Sequence, residues 1–149
     1  MNGDFETTKT LLDRGVDIEE STKDGETALM VAASKGQREV IQMLLSSGAN
    51  IDATNLKDWT TLMLAVRNKD EKTVDLLLSH GADVNHLSPD RWTALAEATF
   101  QSQTSMISLL LRCGADTESK SSHDWTPLMH AAYKGDEEAV KLLLEAGAN

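Results

Sequence analysis

The sequence predicts an all-α solenoid, and three observations carry that expectation. A Thr-x-Leu frame recurs every 33 residues, at Thr27-Ala28-Leu29, Thr60-Thr61-Leu62, Thr93-Ala94-Leu95 and Thr126-Pro127-Leu128. A glycine keeps the same step at Gly15, Gly48, Gly81, Gly114 and Gly147, followed by Val16 at the first place and by alanine at the others. Ahead of the last four glycines runs an apolar stripe at 3–4 spacing: Ile41, Leu44, Leu45; Val74, Leu77, Leu78; Ile107, Leu110, Leu111; Val140, Leu143, Leu144. Self-similarity at a fixed period of this length marks a repeat array, and the stripe marks one helix per repeat that buries a single face.

The elements follow in order. Residues 1–21 read as half a repeat, because Thr10-Leu11-Leu12-Asp13-Arg14-Gly15 matches the second-helix ending but no Thr-x-Leu frame precedes it. Full units are expected at 22–54, 55–87 and 88–120, and a truncated one at 121–149. Each first helix should begin at the frame threonine, whose hydroxyl can accept from backbone N–H groups that lack an intrahelical partner. Pro127 fits the first helical position, where its missing N–H forfeits nothing. The small residues Ala32-Ala33, Ala65, Ala98 and Ala131-Ala132 let neighbouring helices approach closely. The glycine after each stripe suits a left-handed helix stop. Segments such as Asn50-Ile51-Asp52 and Asp83-Val84-Asn85 lead to the next unit as short fingers with little formal strand.

Two departures bear on stability. Gly36 and Gly135 sit between the two helices of their units, where the middle units carry Lys69 and Ser102. If that turn requires positive φ, each middle unit loses on the order of 1 kcal/mol. The second helix of unit 88–120 is expected to open with Gln101-Ser102-Gln103-Thr104-Ser105, all mediocre helix formers. That unit is expected to be the least stable. The final helix, Glu138-Ala139-Val140-Lys141-Leu142-Leu143-Leu144, reads like an interior helix, whereas terminal repeats need a polar outer face. The chain is therefore expected to be a fragment of a longer array.

The period of 33 and the segment Thr126-Pro127-Leu128-Met129-His130-Ala131 resemble the ankyrin repeat. Met129 stands where that family usually has histidine. The resemblance spans nearly the whole chain. It implies about four and a half pairs of antiparallel helices joined by short β-turn fingers. It says little about activity, since a fold hosts many functions.

Composition narrows the function classes. The formal net charge of −10 argues against a nucleic-acid binder, which needs a basic face, and against an anionic membrane surface. Aromatic residues are 4% of the chain, so the core must be built from Leu, Ile, Val, Ala and Met. The single Cys113 forms no internal disulfide, and Met1–Leu12 lacks the basic and apolar regions of a secretory leader. Together these point to an intracellular protein, cytoplasmic or nuclear. No apolar run approaches the ~20 residues of a membrane span.

Catalytic motifs are not evident. His80, His86, His123, His130 and Cys113 lack zinc-ligand spacing, and no phosphate loop of the Gly-x-x-x-x-Gly-Lys-Ser/Thr type occurs. No cofactor is expected. Glu97 and His130 occupy equivalent places in adjacent units, where Val31 and Leu64 stand elsewhere. They could face each other as an acid–base pair, or serve as a solvated polar pair or partner contacts. Leu78 with Asp83-Val84-Asn85 resembles the pattern that Asn hydroxylases accept in ankyrin fingers, although asparagine there is also ordinary repeat sequence.

The strongest functional signal is positional. Trp59, Trp92 and Trp125 lie 33 residues apart, each just before the frame threonine, and Phe100 and Tyr133 lie 33 apart at the end of the first helix. Only Phe5 falls elsewhere. The ankyrin resemblance implies that fingers and first helices line a concave groove where partners dock. Carried over, those places hold Asp24 and Glu26; Lys57, Trp59 and Arg67; Asp90, Arg91, Trp92, Glu97 and Phe100; His123, Trp125, His130 and Tyr133. Tryptophan at this place can instead stack on the neighbouring finger, and both readings stand. The expected function is a non-catalytic, monomeric module for a protein or peptide partner, apolar toward the C-terminal end and polar toward the N-terminal end. The alternatives are a regulatory or targeting segment of a larger enzyme and a purely structural array.

Overall fold

The computed structural model describes residues 3–149, apart from the side chains of residues 3–5, 11 and 12. Met1 and Asn2, and the side chains of Phe5, Leu11 and Leu12, thus lie outside the described residues. A lone helix, α1 (Gly3–Asp13), is followed by four pairs: α2 (Ala28–Ser34) with α3 (Arg38–Ser46), α4 (Thr61–Arg67) with α5 (Glu71–Ser79), α6 (Ala94–Phe100) with α7 (Thr104–Arg112), and α8 (Pro127–Lys134) with α9 (Glu137–Glu145). First helices α2, α4, α6 and α8 stack in succession, each also against its own second helix, while α1 packs on α3. Ordered strand is confined, among the described residues, to the isolated bridges Ser21–Thr27 and Thr54–Thr60.

The frame threonines act as read from the sequence. The Oγ1 atoms of Thr27, Thr60, Thr93 and Thr126 accept from the N–H groups of Met30, Met63, Ala96 and Met129 at 3.1–3.4 Å. Each caps a first helix that opens on the next residue, with Pro127 at the start of α8. The core lies between the stacked helices: Leu29, Leu62, Leu95, Ile41, Leu44, Val74, Leu77, Ile107, Leu110 and Leu143 are buried. Leu144 departs from the predicted stripe and is 54% exposed. Its counterparts Leu45, Leu78 and Leu111 pack against the core.

The turn between paired helices requires positive φ in every pair: 63° at Gly36, 60° at Lys69, 54° at Ser102 and 68° at Gly135. The second helix of the 88–120 unit opens later than expected. Gln101 ends α6, Ser102 makes the turn and Gln103 sits at the N-cap, so only Thr104 and Ser105 belong to α7. Gln103 supplies no cap bond. Its buried Nε2 instead donates to the Val66 carbonyl at 3.1 Å and so ties α7 to the preceding pair.

Two hydrogen-bond series join successive units. Along the loops, the side chains of Glu19, Asp52, Asn85 and Glu118 accept from the N–H groups of Asn50, Asp83, Asp116 and Asn149 at 2.7–3.0 Å. Along the fingers, Leu56 N–H donates to the Asp24 carbonyl and Ser122 N–H to the Asp90 carbonyl. The equivalent donor between them would be residue 89, which is Pro89 and has no N–H. There the His86 ring bridges the fingers instead, with Nε2 at 3.0 Å from the Asp58 carbonyl.

Candidate functional site

The finger turns set the tryptophans. In each turn the first residue and the residue before the frame threonine close a loop: Asn55 N–H donates to the Trp59 carbonyl, Ser88 N–H to that of Trp92 and Ser121 N–H to that of Trp125. Asn55 Oδ1 and Ser88 Oγ accept in return from the N–H groups of Trp59 and Trp92. The residue just before each tryptophan is left-handed, with φ of 56° at Asp58, 56° at Arg91 and 58° at Asp124. Gly25 holds this place in the first finger, where an added Cβ would come within 2.8 Å of the Leu56 nitrogen. The tight turn directs each indole back along the adjoining first helix, half-buried.

Five rings from two neighbouring units form one continuous cluster. The His130 ring lies 5.3 Å from Trp92 and 5.2 Å from Trp125, with Phe100 at 6.3 Å. Trp92 meets Phe100 edge to face at 5.9 Å, and Trp125 meets Tyr133 at 5.3 Å. Offset and edge contacts of this kind are favourable arrangements for ring quadrupoles. The rings line a groove of about 440 Å³ with Ser121, His123 and Lys134. Tyr133 and Phe100 remain 78% and 48% exposed, so the groove keeps a large accessible aromatic wall.

Glu97 is 7% exposed and does not pair with His130. Its Oε2 accepts from the Trp92 indole N–H at 2.7 Å and its Oε1 from Gln101 Nε2 at 2.6 Å. The acid–base arrangement allowed by the sequence is therefore not formed, because both carboxylate oxygens are engaged within the same unit. Nor is Glu97 presented as a surface contact: it lies behind Trp92 and steadies it. His130 Nε2 is buried without a hydrogen-bond partner in the protein. Burial lowers the imidazole pKa below its usual value, and the Lys134 ammonium lowers it further.

The remaining candidates divide between two places. Trp59, Lys57 and Arg67 line a smaller groove of about 280 Å³ with Asp24, Glu26 and Leu64, and the Arg67 guanidinium lies 5.0 Å from the Trp59 ring centre. Asp90 and Arg91 are exposed at the third finger tip, outside both grooves. Lys134 escaped the sequence reading, yet its ammonium lies 4.5 Å above the Phe100 ring. Its place one residue beyond Tyr133 carries no signal of that contact, because spacing along the chain does not give the direction of the side chain. Asn85 is engaged at both ends of its amide, donating to the Gly114 carbonyl and accepting from Asp116 N–H.

Among the described residues no group of three or more His, Cys, Asp and Glu side chains could hold a metal ion, and no helix is long and apolar enough to cross a membrane. No curated protein matches the chain. A family model for ankyrin repeats, in three copies, matches residues 1–88 and 62–149, which together span the chain. With capped first helices, stacked pairs and finger turns in the same phase, the chain belongs to the ankyrin-repeat family.

Proposed function

We propose that this chain is a non-catalytic module that holds a protein or peptide partner on its finger and first-helix face, with the groove between α6 and α8 as the main seat. Ankyrin repeats are generally protein–protein interaction modules. The observation that carries the finer reading is the convergence of Trp92, Phe100, Trp125, His130 and Tyr133 on one accessible groove. Tryptophan and tyrosine commonly dominate binding energy, at ~2 kcal/mol or more each when well enclosed. The rings are held by packing and by the Trp92–Glu97 bond, so little ordering entropy is lost when a partner arrives. Engagement of both Glu97 oxygens favours a binding role over acid–base chemistry. A monomer acting in the cytoplasm fits the same reading.

The test is capture of partners by the wild-type chain beside a Phe100→Ala, Tyr133→Ala variant. These two side chains are exposed, so their removal leaves the core intact, whereas Trp59 and Trp92 also pack against it. Loss of captured protein at unchanged helicity supports the reading. Equal capture by the variant overturns it.

A further inference from the structure

We propose that the occupant of this face is an acidic segment with an apolar centre: a large apolar side chain enters the Trp92–Trp125 groove, flanked by carboxylates at Arg67 and Lys134. This rests on the docking face proposed above and adds the chemistry of the partner.

The argument begins with where two cations sit. The chain carries ten surplus negative charges, yet neither Arg67 nor Lys134 lies within ion-pair distance of a carboxylate among the described residues, where the pairs are Arg38–Asp70 and His86–Asp58. Each is instead held above a ring, Arg67 over Trp59 and Lys134 over Phe100. A ring face orients a cation without neutralising it and leaves its N–H donors free. Both residues are exposed at the C-terminal ends of first helices, α4 and α8. Two unpaired, positioned cations, Lys134 in the aromatic groove and Arg67 in the groove next to it, form a receptor for anions.

The opposite occupant, a cationic side chain, is disfavoured by the same geometry. The lining of the aromatic groove contains the Lys134 ammonium and no carboxylate. Glu97, the nearest buried acid, is committed to Trp92 and Gln101. Arg67 shares the neighbouring groove with Lys57, Asp24 and Glu26, and these two acids would repel an acidic chain that ran on past Arg67 toward the N-terminal end. The acidic part of the partner is thereby confined between Arg67 and Lys134.

Spacing follows from the stack. The Arg67 head lies over the ring of one unit and the Lys134 head over the ring of the next. Neighbouring helices pack ~8–10 Å apart, and an extended peptide covers that distance in about three residues at ~3.3 Å each. The pattern expected is two acidic residues three positions apart with a large apolar residue between them.

The experiment measures fluorescence anisotropy with the labelled peptide Gly-Ser-Glu-Leu-Phe-Glu-Ser-Gly and with counterparts carrying Gln or Lys in place of both Glu. The Glu peptide should bind roughly 10-fold tighter than the Gln peptide, an advantage that shrinks as NaCl rises from about 50 to about 500 mM. Arg67→Gln and Lys134→Gln should each weaken it about five-fold with unchanged circular dichroism, and should weaken the Gln peptide by clearly less. Equal or tighter binding of the Gln or Lys peptide overturns the proposal. If that binding is lost in the Phe100→Ala, Tyr133→Ala variant, the docking face itself survives. Absence of binding by every peptide also overturns this proposal, and the capture experiment then decides the docking face separately.

Discussion

The indole N–H of Trp92 donates to Glu97 Oε2 at 2.7 Å, which joins a finger tip to the first helix five residues further on. Glu97 holds the place of the apolar Val31 and Leu64, so one repeat has exchanged a hydrophobic contact for a polar brace. The exchange fixes the indole that forms one wall of the groove.

Removing the brace should cost stability and loosen that wall. Glu97→Ala leaves a void behind Trp92 and strips the indole of its acceptor, while Gln101 keeps the Arg67 carbonyl, a loss of about 1–3 kcal/mol. Urea unfolding should show a lower midpoint, with tryptophan emission shifted to longer wavelength in the folded state. An unchanged midpoint and spectrum would mean that the bond contributes nothing.

Glycine at the strained interhelical turns should stabilise the middle units. Lys69 and Ser102 adopt φ of 60° and 54° at the place where Gly36 and Gly135 stand. Lys69→Gly and Ser102→Gly should each gain about 0.5–1 kcal/mol, the left-handed penalty reduced by the greater freedom of glycine in the unfolded chain. The converse, Gly36→Lys, should lose a similar amount. Chemical denaturation at constant slope reads both signs.

Acidification should weaken the fold through His130. Its folded pKa lies below the ordinary histidine value of about 6.5, because burial and the Lys134 charge both disfavour the imidazolium. An unfolded chain then binds this proton more readily than the folded one. The contribution of His130 is fully present above pH 6.5 and is lost as pH falls from there through the folded pKa. Melting temperatures between about pH 7.5 and pH 5.5 should fall more steeply for wild type than for His130→Leu, the variant that restores the residue type of Leu64. Parallel curves would rule out the assignment.

Among the interior second helices, α7 should open more readily than α5. Asp70 caps α5 by accepting from Thr73 N–H and Thr73 Oγ1, and Glu71 places a further negative charge in its first turn. No side chain caps α7 and no acid stands in its first turn. A missing cap is worth ~1 kcal/mol. Hydrogen exchange should therefore be faster through the first turn of α7, and Gln103→Asp should trade the Val66 tie for a cap without a large net change.

Phase made the fold legible. Because each unit repeats its threonine cap, its apolar stripe and its glycine stop at one interval, local signals that are weak alone reinforce one another. The αL turns at Lys69 and Ser102 were readable because glycine in the outer units exposed the requirement. At Asp58, Arg91 and Asp124 a single Gly25 gave too faint a hint of the same constraint. The aromatic groove was half visible: the period aligned its rings, but neither the Glu97 brace nor Lys134 over Phe100 could be read. Both depend on side-chain direction across a finger or between units, which spacing along the chain does not encode.

Pro89 leaves a lasting mark on the array. Elsewhere along the described fingers one backbone staple binds each tip to the next, but between the second and third tips a rotatable imidazole takes over. The Trp59 groove lies on one side of that seam and the Trp92–Trp125 groove on the other. Beneath the tips, the Gln103 and Gln101 amides donate to the Val66 and Arg67 carbonyls across the same boundary, so the missing staple frees the finger tips and not the helix stack. A ligand whose anchors are slightly misfitted would be met there by a small shift of one finger tip against the next, which a backbone staple at residue 89 would resist by about 1 kcal/mol.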